Sequence, residues 1–167
     1  MPSVIAFLES LQASSLGLFI HKKAWAFTTV EVAHVFAGSL LLGTIMIVDL
    51  RLLGFASKRR AFTELARQVL PFTWSAFVLT IVAGSLLFIS RPMEYLENPV
   101  FWTKMALIVL AGVNMMIFEF ITVRGVQKWN IDSVPPPQAR LAGAISISCW
   151  VMVIFLGRLI GFTLQGE

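Results

Sequence analysis

His34 is the residue around which the chemistry of this sequence gathers. Imidazole is both a metal ligand and a proton carrier, and this one lies three residues after Glu31 in EVAHVFAGSLLLGTIMIVDLRLLG, residues 31–54. That run is apolar and long enough to cross a bilayer. With about 3.6 residues per helical turn, Glu31, His34, Gly38, Leu41, Ile45, Asp49 and Leu52 share one face. The opposite face, Val32, Phe36, Leu40, Gly43, Ile47 and Leu50, carries no charge. Ionisable groups at membrane depth are costly, so they turn toward a bundle interior and mark a functional site. Arg91, Lys104 and Arg158 lie at the ends of three further apolar runs and are expected at the same level as Glu31 and His34.

A b-type haem would use such a set. His34 would be an axial metal ligand and Glu31 its tuner. Gly38 and Gly84 would give the ring clearance, and Arg91, Lys104 and Arg158 would supply cations for the propionates. Met93, Met105, His21, Lys104 or water could complete the axial pair. The resulting expectation is a membrane oxidoreductase or electron-transfer protein with a quinone or a periplasmic redox partner. Three other readings stay open. Copper handling would draw on soft ligands such as Met105, Met115 and Met116, which show no repeated spacing. An ion transporter would use Glu31, His34 and Arg158 as a relay. A structural subunit, or one copy in a homo-oligomer, would use the charges only to fix helix register. Phosphate-binding loops, zinc-protease helices and hydrolase triads are absent from the sequence, and whether the chain is an enzyme stays open.

The elements that must position these residues follow from composition. The 167 residues are 57% hydrophobic and 13% charged, with mean hydropathy +0.83, which excludes an ordinary soluble domain. The formal charge of +4 comes from loop lysines and arginines, and it orients a membrane chain without suggesting nucleic acid. The single cysteine, Cys149, cannot form an intrachain disulfide. The expected fold is an all-α membrane protein, one domain over 1–167, with a four-transmembrane-helix bundle and an N-terminal interfacial amphipathic helix.

Residues 1–20 are too polar in the middle to span and lack a basic n-region, so they read as the interfacial helix. His21, Lys22 and Lys23 form a wet junction. The spans are 25–53, 71–90, 100–123 and 140–164. Trp25, Trp102 and Trp129 are expected as interface anchors, and Pro71 is expected to start or kink the second span. Thr73, Ala76, Thr80 and Gly84 make a small-residue stripe on that span. Lys104, Ile108, Ala111, Met115 and Thr122 define the third span's face, flanked by Asn114 and Glu119. On the fourth, the expected stripe is Arg140, Ala144, Ile147, Val151, Ile154 and Arg158, and Gly157 with Gly161 suggests close helix packing.

Basic residues decide the orientation. Arg51, Lys58, Arg59, Arg60, Arg67, Arg124, Lys128 and Arg140 follow the first and third spans, against Lys22, Lys23 and Arg91 on the other side. Both termini are therefore expected to be periplasmic in a bacterial cytoplasmic membrane. Asp49, Arg51, Glu119 and Arg124 make an inner set that reads as a snorkelling or salt-bridged boundary.

The pattern His34-Val35, Gly38, Leu42-Gly43, Val48-Asp49, Arg51-Leu52-Leu53-Gly54, then Asn98-Pro99, Phe101, Lys104, Asn114, Trp150 and Gly157-Arg158 resembles a bacterial four-helix membrane family of unknown function, over residues 28–163. More distantly the layout is similar to copper-resistance D-type membrane domains and to the HemJ-type haem-containing protoporphyrinogen oxidase. That last resemblance implies roles for a His in the first core helix and a Lys early in the third, which His34 and Lys104 match. Many members of the close family carry a His near the position where this chain has Glu119, so a second metal or haem site that relatives hold there is not implied for this chain.

Overall fold

The computed structural model describes residues 2–56, 59–131 and 134–164, with side chains from Val4 onward. Lys58, one of the basic loop residues, lies outside them. Every regular element among the described residues is helical: α1 (Pro2–Gln12), α2 (Ser15–Lys22), α3 (Ala24–Leu53), α4 (Phe62–Ser90), α5 (Pro92–Glu97), α6 (Pro99–Ile117) and α7 (Pro137–Thr163). After α6 the chain continues as a π-helical turn, Phe118–Thr122, and a 3₁₀ segment, Val123–Lys128. Four helices, Ala24–Leu53, Phe62–Ser90, Pro99–Lys128 and Pro137–Thr163, are long and apolar enough to cross a membrane.

Local chemistry sets the boundaries. At the end of α3, Gly54 takes the left-handed conformation (φ 81°) and its N–H donates to the Arg51 carbonyl at 3.1 Å. At the start of α6, Asn98 caps by accepting the Val100 N–H at 2.9 Å, with Pro99 at the first helical position. Pro71 neither starts nor ends α4, which already begins at Phe62. The carbonyl that Pro71 leaves without a helical donor belongs to Arg67, an exposed residue, so water can satisfy it.

The N-terminal segment folds as two short helices in place of one. They meet at 62°, and Gly17 permits the corner, since a Cβ there would stand 2.6 Å from the Gln12 carbonyl oxygen. Ser14 caps α2 by accepting the Gly17 N–H at 3.1 Å. Val4, Ile5 and Phe7 on α1 and Leu16 and Phe19 on α2 are exposed, as suits an interfacial element. α2 lies against α3 and α4, and α1 against α4 and α5, so the pair covers one end of the bundle, where α3 begins and α4 ends, called the outer end whichever way the chain crosses a membrane.

Within the bundle α3 packs between α4 and α7, and α6 lies on α7. The α3 face expected to be polar does turn inward, while Val32, Phe36, Leu40 and Ile47 face out. On α7 the buried stripe is Ala139, Gly143, Cys149, Val153, Leu156 and Ile160. Arg140, Val151, Ile154 and Arg158 of the expected stripe are exposed. Small residues decide this. A Cβ on Gly143 would stand 3.1 Å from the Asp49 carbonyl oxygen, so only this face lets α7 approach α3.

The inner end has its own apolar core of Leu52, Phe62, Val126, Trp129 and Ala139. Trp129, expected at the interface, is instead buried, with its ring 5.1 Å from that of Phe62. Trp25 and Trp102 are exposed, as interface anchors should be. Arg51 is wholly buried and donates from Nη2 to the Asn130 carbonyl at 3.1 Å. The Phe62 N–H donates to the same oxygen at 2.9 Å, which ties the 124–131 stretch to α3 and α4. Of the rest of the inner set, Asp49 is buried and takes a hydrogen bond from Ser146, whereas Glu119 and Arg124 are exposed.

Candidate functional site

The site is built from the outer half of α3. His34 Nδ1 lies 3.0 Å from the Thr80 carbonyl of α4. A carbonyl can only accept, so Nδ1 donates, and in the neutral imidazole Nε2 keeps its lone pair. Gly84, one turn further along α4, makes this contact possible. A Cβ there would stand 2.9 Å from His34 Cε1 and 3.2 Å from Nδ1. The clearance at Gly84 therefore serves the imidazole itself, not a flat ring lying over it. At Gly38, on the same face of α3, a Cβ would meet nothing within 4 Å.

Lys104 reaches inward from α6. A Cβ on Gly157 of α7 would lie 3.2 Å from its Nζ, and its charge is close enough to act on the His34 imidazole. Glu31 reaches α7 in the same way, with Oε1 3.8 Å from where a Cβ on Gly161 would sit. The Gly157 and Gly161 pair, expected to bring helix backbones together, instead makes room for two polar side chains.

Above this level Arg91 pairs with Glu94 at 3.3 Å, and its guanidinium carbon lies 5.1 Å from the centroid of the Phe27 ring. Tyr95 on α5 lies within electrostatic reach of Arg91, Glu31 and Glu94. Burial pushes its hydroxyl up to about 12, with Glu31 and Glu94 adding to the rise and Arg91 opposing it. The phenol is thus a neutral hydrogen-bonding group beside the Arg91 and Glu31 charges.

Arg158 does not join the set. It is exposed, and its guanidinium lies over Phe162 of its own helix at 4.7 Å. The turn of α7 that brings its glycines inward carries Arg158 outward. The structure thus brings together His34, Gly84, Lys104 and, one level up, Glu31 and Arg91. Thr80, Tyr95 and Gly157 belong with them and were missed as site residues. The Thr80 and Gly84 spacing of four residues on one stripe was the available signal for the first of these.

Among the described residues no three His, Cys, Asp or Glu side chains converge as a metal cluster. Met115 and Met116 face out of the bundle. His21, on α2, has its Nδ1 buried without a partner among the described residues. The anchored Nδ1 of His34 leaves Nε2 of the neutral ring able to ligate a metal, and Lys104 and Arg91 supply cations nearby.

Fold and site together define a helical protein of the membrane-spanning class, with a histidine and a lysine facing one another inside its outer half. The chain belongs to DUF6644, a family of unknown function, whose sequence pattern covers residues 7–163. No curated protein and no solved structure matches it.

Proposed function

We propose that this protein holds a b-type haem in the outer half of its bundle and serves membrane redox or electron transfer. The observation that carries the reading is the His34 ring, fixed on the Thr80 carbonyl so that Nε2 is free, with Lys104 brought to the same level from α6. A carbonyl that accepts from the far ring nitrogen orients a ligating imidazole and raises its basicity. His34 would hold the group, and Lys104 and Arg91 would balance its acid side chains or, for Lys104, complete the axial pair. Bound there, the group would supply one-electron chemistry.

The exposed cations Arg59, Arg60, Arg67, Arg124, Lys128 and Arg140 gather at the end of the bundle opposite the site, which supports periplasmic termini in a bacterial cytoplasmic membrane. On that orientation the electron partner would be a quinone or a periplasmic protein.

Protein purified from haem-replete cells should show a Soret band that His34→Ala abolishes and Lys104→Met shifts or weakens. A colourless protein, or a band indifferent to His34→Ala, would overturn the reading.

A further inference from the structure

The four spans are ordered α4, α3, α7, α6, and among the described residues α4 and α6 share no extended backbone packing. Among the described residues aromatic rings join the two spans at two heights, the second just past the end of α6. Phe88 stacks on Phe101 with centroids 5.8 Å apart at the outer end, and Phe62 meets Phe118 at 5.9 Å at the inner end. Between these bridges, Phe77 of α4 reaches Trp150 of α7 at 6.5 Å.

At this middle level Gly38, on the α3 face that carries His34, is half-buried, and a Cβ there would meet nothing within 4 Å. The outer end is covered by α1, α2 and α5, and Tyr95 packs on Phe88 and Phe101. His34, Gly38, Lys104 and Trp150 nevertheless keep partial exposure. Helices flank α3 on both sides, and the side left without a packed neighbour lies between α4 and α6, two spans long and apolar enough to cross a membrane.

We infer that the site opens sideways into the bilayer between α4 and α6, and that its ligand arrives dissolved in lipid, as a planar molecule with an apolar body and a polar edge. The chemistry of the opening selects for this. Phe77 and Trp150 offer aromatic surface to a flat ring, His34 Nε2 offers a lone pair to a metal or a donor, and Lys104 offers protons to an anionic or carbonyl oxygen. The inference rests on the reading of His34 as the ligand-holding residue, and a b-type haem meets the description.

Gly38→Cys in a Cys149→Ser background tests the opening without reference to any cofactor. In membranes from haem-depleted cells, where nothing fills the space, a lipid-soluble maleimide should label it and a membrane-impermeant one should not. Labelling by the impermeant reagent, or by neither, overturns the lateral opening. Gly38→Phe should fill the space and lose the Soret band while keeping the melting temperature of wild-type protein prepared without haem; an undiminished band would also overturn it. Wild-type protein without a Soret band sinks the haem reading alone, because the labelling pattern still reports the opening.

Discussion

At the scale of single residues, the site depends on two glycines doing different things. Gly84 is occupied space, since its missing side chain is where the His34 ring sits, whereas Gly38 is open. Both were expected as clearance for a cofactor, and sequence spacing could not separate them because it fixes a face and not what fills it. Tyr95 gives the clearest titration. It is the chain's only tyrosine, so its phenolate band is readable in the ultraviolet without interference from another. Its folded value of about 12 lies above the ordinary tyrosine range. The neutral phenol therefore contributes stability below pH ~10, and that contribution is lost as pH climbs toward the folded value. The phenolate band should rise near pH 12 in folded protein, and Tyr95→Phe should remove this alkaline loss of stability. A midpoint at the ordinary tyrosine value would contradict the burial described here.

At the scale of elements, the face of α3 was legible from its period. Its ionisable groups other than Arg51 recur at helical spacing on one side, and turning that side inward keeps them out of lipid. The face of α7 was not legible, because nearly every side chain on that helix is apolar and each face could be buried or meet lipid. Close approach to α3 at Gly143 chose the small-residue side and sent Arg158 outward. Gly143→Leu should cost about 1–3 kcal/mol by overpacking against Leu52 and the Asp49 backbone, read as a lower melting temperature in detergent. Gly112→Leu should cost far less, since a Cβ at that exposed glycine of α6 would meet nothing within 4 Å. Equal losses for the two would contradict the α3 and α7 interface. Trp129 was misplaced for a related reason: tryptophan suits both an interface and a core, and here the Phe62 ring and the Arg51 to Asn130 link draw it inside.

For the whole molecule, cations at one end and the α1 and α2 cover at the other give the bundle a polarity. Single cysteines at Arg60 and Glu97, in the Cys149→Ser background, should be reached by impermeant reagent from opposite sides of the membrane, Glu97 from the periplasm. Labelling of both from one side would contradict the four-span path, and Arg60 labelled from the periplasm would reverse the orientation. The amino-acid sequence by itself determined that the chain is helical, that four stretches can span, and which face of α3 hides its ionisable groups. Those are consequences of hydropathy and helical period, which act within one segment. Only the tertiary structure decided that His34 rests on the Thr80 carbonyl, that Lys104 and not Arg158 is its cationic neighbour, and that α4 and α6 stay apart. These outcomes depend on which small residues let two helices approach, and that is a property of pairs of surfaces that no single segment contains.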